Sequence, residues 1–241
     1  MENKIEENKT AKKQLALEPH FTSSDTVRDV IIGMSDGLTV PFALAAGLSG
    51  AVSQTDIIVI AGLAEIAAGC ISMGLGGFLA AQNDSEHYYS EQKREYKEVE
   101  VVPEMEEKEV VDIFKTYGLN DAHIAPIMAD FKKNPDNWVA FMMQNELHLE
   151  KPDKARAKKS GATIALSYLF SGFIPLSSYI FIKNSHEALF ISAVVTLLAL
   201  VIFGYVKAKL IGNNPWKSAL QTVLIGGVAA GAAYLLAKWI S

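Results

Sequence analysis

From Ile57 to Ala81 the chain runs for 25 residues with a single charge, Glu65. It then turns polar without a proline, through Gln82–Val101 (QNDSEHYYSEQKREYKEVEV), and the first break is Pro103. An apolar run of that length suits a helix crossing a hydrocarbon core of ~30 Å. Nothing in the sequence ends the helix where the charges begin. The spacing predicts one long helix that spans a bilayer and continues into water. One carboxylate lies inside the membrane, and Glu91, Glu95 and Glu98 form a row outside it.

Four more runs share the apolar character: Val30–Val52, Gly161–Ile182, Ala188–Val206 and Ser218–Ala237. Half of all residues are hydrophobic although 20% are charged, because the charges are gathered elsewhere. The expected fold is an all-α integral membrane protein with five transmembrane helices and a cytosolic three-helix insertion between spans 2 and 3. Its parts are a polar N-terminal segment (1–26), spans 1 and 2 (27–81), a helical domain (82–155) and spans 3 to 5 (156–241). Thr22–Asp25 suits a helix N-cap. Ser53–Asp56 is a short turn that returns span 2 beside span 1. Pro41, inside span 1, predicts a kink with freed carbonyls facing protein or water. Gly226, Gly227 and Gly231 let span 5 approach a neighbour closely.

In the insertion, Glu104–Tyr117 is expected to be amphipathic, with Gly118 as its C-cap. Asn120–Lys133 reads as a short helix pair or a proline-interrupted helix. A last helix opens at Asn134-Pro135-Asp136 and runs through Leu149, with Pro135 in its first turn.

Basic residues set the orientation. Lys12, Lys13 and Arg28 precede span 1. Lys151, Lys154, Arg156, Lys158 and Lys159 precede span 3, and Lys207, Lys209 and Lys217 lie between spans 4 and 5. The opposite side has Lys183 and Lys238. The N-terminus and the insertion are therefore expected in the cytosol, and the C-terminus outside or in a lumen.

Several function classes are excluded. Residues 81–117 hold 11 acidic and 5 basic residues, which argues against a nucleic-acid partner. Cys70 is the only cysteine, so no intrachain disulfide and no cysteine zinc site is expected. The first 26 residues have no apolar core of a cleaved signal peptide. No phosphate loop or Ser/His/Asp arrangement is present, so an enzyme is not expected. No HxxxH, HExxH or Glu-x-x-His pair occurs, which disfavours a di-iron oxidase.

What remains points to metal ions. Asp36 lies in span 1, and Glu65 and Met73 in span 2. A charge at the centre of a span costs roughly 2.5–3.5 kcal/mol on insertion scales, so acids in adjacent spans need a reason. Carboxylate oxygen with thioether sulfur suits a borderline-soft divalent ion. Outside the membrane, Glu91, Glu95 and Glu98 share one helical stripe, and Glu106 and Glu109 lie three apart on the next helix. Met142 and Met143 precede Glu146 on the last helix. A solvated charged face remains the simpler reading of the stripe, with Lys93, Arg94 and Lys97 compensating it. For Met73, Met142 and Met143 packing is an equal alternative.

The runs DVIIGMSDGLTVPFALAAGLSGA and AGLAEIAAGCISMGLGGFLAAQNDSEHY, with an insertion ending NPDNWVAFMMQNELHLEKPD, resemble the vacuolar iron transporter (VIT1/CCC1) family, in the type with a cytosolic metal-binding domain. The resemblance covers nearly the whole chain. It implies a homodimer moving Fe2+, and often Mn2+, out of the cytosol in exchange for protons. The ion pathway is then between the first spans of the two subunits. It matches Asp36, Glu65 and Met73 to the pathway, and Glu95, Glu98, Glu106, Glu109, Glu146, Met142 and Met143 to the metal-binding domain. No prosthetic group is implied; Fe2+, Mn2+, Co2+ and Zn2+ are ions to be bound or carried. The membrane is the plasma membrane in a prokaryote and a vacuolar or organelle membrane in a eukaryote. The rival reading is a membrane-anchored metal sensor or storage protein without transport.

Overall fold

The structure is a computed structural model that describes residues 25–240. Most of the polar N-terminal segment, including Thr22–Ser24 of the expected cap, lies outside the described residues. Eight helices follow in order: α1 (Asp25–Ala51), α2 (Thr55–Val101), α3 (Pro103–Thr116), α4 (Asp121–Lys133), α5 (Pro135–Asn145), α6 (Arg156–Phe181), α7 (Ser185–Ile211) and α8 (Pro215–Ile240). Among the described residues five helices, α1, α2, α6, α7 and α8, are long and apolar enough to cross a membrane. The all-α reading and the five spans hold. The helix from the first apolar run does continue into the charged stretch, for 47 residues to Val101.

The chain divides into two compact units, one formed by the residues up to Gly74 and from Thr163, the other by Leu75–Ala162. In the first, α1 is lined with small residues that let neighbours in. A Cβ on Gly37 would stand 2.9 Å from the Cα of Tyr168 on α6, so the two backbones are in near contact. Leu38 packs with Leu200 and Phe203 of α7. Phe42 and Ala46 pack with Ala230 of α8. Helices α1 and α6 continue through Pro41 and Pro175. The Pro175 carbonyl accepts a hydrogen bond from Ser192 Oγ of α7 at 2.7 Å. Ser49 and Tyr179 hydroxyls meet at 2.9 Å. These two contacts pair buried polar groups across helices, as an apolar solvent favours. Large apolar side chains such as Ile60, Ile71, Phe170, Phe190 and Ile202 stay exposed, as a perimeter facing lipid should.

In the second unit, Val110, Ile124, Met128, Trp138 and Met142 form a core, and Tyr88, Val139 and Met143 form a second cluster. Phe114 and Phe141 stack at 4.9 Å. Pro103 and Pro135 sit in the first turns of α3 and α5, where a missing N–H costs nothing. Gly118 takes the left-handed conformation just beyond α3, at φ +82°, which is the capping role expected of it. The side chain of Asn120 accepts from the His123 amide to start α4. That segment is one helix with Pro126 inside it, not a pair. A second departure matters more. Helix α5 stops at Asn145 rather than Leu149, and Glu146 is its C-cap. Beyond it His148 takes a positive φ of 54°, so the chain turns away from helical geometry.

Candidate metal centre

Glu95 and Glu98 are three apart near the end of α2, so they share a helix face. Pro103 opens α3, and Glu106 lies in the first turn of that helix. The turn at Pro103 brings Glu106 back toward α2. One carboxylate oxygen from each of Glu95, Glu98 and Glu106 then lies within 4.8 Å of the other two. Glu95 is 2% exposed and Glu106 3%. The Oε2 atoms of Glu95, Glu106 and Glu146 are buried without a hydrogen-bond partner.

Such a group is electrostatically costly. Burial raises the pKa of Glu95 to about 7, with further upward pushes from Glu146, Glu98 and Glu109, against a downward pull from Arg94. Burial likewise raises Glu106 to about 7, helped by Glu109, Glu95, Glu98 and Glu146. Glu146 is raised too, first by burial and then by Glu109 and Glu98. Five carboxylates therefore share one field, although only three come within ligand distance as they stand. Either protons or a cation must relieve it.

The remaining expected residues sit around this group. Arg94 Nη2 pairs with Glu91 at 3.0 Å, and its Nε with Glu98 at 3.5 Å. Glu91 also lies 3.9 Å from His87, one turn before the cluster. Met142 and Met143 are fully buried, each in one of the two apolar clusters. Glu109 is half-buried.

The intramembrane residues belong to the other unit. Asp36, Glu65 and Met73 are each half-buried. Ile32 (36% exposed) and Val40 (43%) lie one turn to either side of Asp36, so this stripe of α1 is left uncovered by the single chain. Glu65 accepts a hydrogen bond from the Tyr168 hydroxyl of α6 on Oε1. Its Oε2 is buried with no partner. Sequence reasoning missed Tyr168. Its only signal was a phenol inside an uncharged span, where the hydroxyl must find a partner.

Paired acids on the first two spans, and clustered acids beyond the second, are a transporter's inventory rather than an enzyme's. The VIT family model matches residues 27–238. The chain belongs to this family of transporters. It is 52% identical over 221 residues to vacuolar iron transporter 1 of rice (Oryza sativa subsp. japonica), covering 92% of this chain and 88% of that protein. The match to vacuolar iron transporter 1 of Arabidopsis thaliana has the same identity and the same two shares. Protein CCC1 of Saccharomyces cerevisiae is 37% identical over 228 residues, covering 90% of this chain and 70% of that protein. The family resemblance read from the two membrane motifs is thereby established, and with it a multi-pass membrane protein.

Proposed function

We propose that this protein carries Fe2+ across its membrane and out of the cytosol, into a vacuole or an equivalent compartment. Its relatives bear the name of that activity. Ions gather first on Glu95, Glu98, Glu106, Glu109 and Glu146, where Met142 and Met143 close the apolar side. They then pass Met73, Glu65 and Asp36. Glu91 holds Arg94 beside the cluster and adds to its charge. The observation that carries this reading is the trio of Glu95, Glu98 and Glu106, with two almost fully buried carboxylates whose Oε2 atoms lack hydrogen-bond partners. A fold keeps such a trio when a cation comes to it.

Mn2+ is the second expected cargo, and Co2+ and Zn2+ bind the same oxygens, since carboxylates rank these ions only weakly. The protein works as a homodimer, because Asp36 otherwise lies on an uncovered stripe of α1 that lipid would meet. Protons move the opposite way, exchanged on acids that bind proton or metal but not both. Proteoliposome uptake of Fe2+, Mn2+, Co2+ and Zn2+, with and without a pH gradient, tests this. Fe2+ uptake that a proton gradient drives supports the proposal. Metal binding without uptake in any condition makes the protein a sensor or store.

A further inference from the structure

We infer that Tyr168 sets the ion selectivity of the pathway by holding Glu65 to one free carboxylate oxygen. The inference rests on the reading above that Glu65 meets the ion. Tyr168 is 2% exposed, and its hydroxyl donates to Glu65 Oε1. Glu65 Oε2 is left buried and unpartnered. The phenol is held from two sides: glycines of α1 let the Tyr168 backbone in close, and a glycine of α2 makes room for its ring. On α1, a Cβ at Gly33 would lie 3.1 Å from the Tyr168 amide nitrogen, and one at Gly37 2.9 Å from its Cα. On α2, a Cβ at Gly69 would lie 2.5 Å from the ring Cζ and 2.7 Å from Cε1. Gly69 is one turn beyond Glu65, so the ring lies against the same helix whose carboxylate it holds.

A carboxylate with one oxygen committed binds an ion through the other. Ca2+ takes six to eight oxygens and readily uses both oxygens of a carboxylate, whereas smaller divalent ions are served by one. The fixed phenol therefore disfavours Ca2+ at Glu65 without any contact to the ion itself. Tyr168 is a positioning residue: it acts on the ion through Glu65.

Two variants separate the hydroxyl from the packing. Tyr168→Phe keeps the ring and removes the donor. Gly69→Ala keeps the donor and displaces the ring that carries it. Fe2+ flux into proteoliposomes, measured anaerobically with Ca2+ as competitor, is compared with Glu65→Ala. In both variants half-inhibition is expected at about fivefold lower Ca2+, the factor that loss of one ordinary hydrogen bond represents. Uptake of Ca2+ itself should become measurable. Thermal melting and elution volume identify folded protein, and where one variant does not fold the other decides. Unchanged Ca2+ sensitivity in a folded variant, with Glu65→Ala inactive, overturns the inference and leaves Tyr168 as packing. A fall in maximal flux alone, at wild-type Ca2+ sensitivity, also overturns it. Wild-type flux by Glu65→Ala is a different failure, that of the pathway reading.

Discussion

Glu95 and Glu106 stand on opposite sides of the Pro103 break, yet both are buried and their carboxylate oxygens come within 4.8 Å. Sequence alone placed them eleven residues apart on two different helices. Their approach turns a charged stripe into a group of buried carboxylates that raise one another's pKa.

Protonation should be visible in stability. Glu95 and Glu106 ionise near pH 7 in the folded protein, against an ordinary value of 4.5. A raised acid holds its proton in the folded state where the unfolded chain has lost it. Metal-free stability is then fullest below about pH 4.5 and falls as pH rises through 7. Hydrogen exchange of the α3 and α5 amides, corrected for intrinsic rate, should speed up across that window. Metal affinity should move the other way and rise from pH 6 to 8, because the ion displaces the protons. A metal affinity flat across this range contradicts the assignment.

Neutralising one buried acid should separate these two effects. Glu106→Gln removes a like charge from the field, so the metal-free protein should melt at a higher temperature than wild type. Its Mn2+ affinity should fall by about tenfold, the worth of one charge-assisted contact. Replacing Glu95, Glu98, Glu106, Glu109 and Glu146 together should abolish high-affinity binding and slow uptake mainly at low metal. Calorimetry and differential scanning on the full chain read both. Undiminished binding by the fivefold variant removes the cluster from the metal site.

The intramembrane acids should behave differently. Asp36→Ala or Glu65→Ala should nearly abolish flux while metal binding at the glutamate cluster persists, since no water shell replaces a ligand lost inside a span. Normal transport by Asp36→Ala makes the acid structural and favours the sensor reading.

Topology and assembly can be probed with single cysteines after Cys70 is replaced. Ser53→Cys should label only from outside or from the lumen, and Asn120→Cys only from the cytosol. Val40→Cys, on the uncovered stripe of α1, should crosslink to its copy in a second subunit. Crosslinks that form only through α7, for example from Ile202→Cys, refute a pathway between first spans.

The five spans were legible in the sequence because a bilayer accepts almost nothing else. A run such as Gly161–Ile182 has no charge and enough length, and lipid leaves the backbone only a helix. The long α2 was legible because no residue between Ile57 and Val101 breaks a helix, and α3 began at Pro103 for the converse reason. The glutamates could be named as candidates, since their spacing follows from one helix. Their burial could not, because it depends on how tightly α3 folds back at Pro103. The end of α5 at Asn145 was equally hidden: Leu147 and Leu149 are good helix residues, yet both pack on the Tyr88, Val139 and Met143 cluster beyond the helix end. Tyr168 lies 103 residues from Glu65 in the chain, and no local pattern links them. Their meeting depends on Gly33 and Gly37 of α1 and Gly69 of α2, whose missing side chains are a fact about space rather than about sequence period.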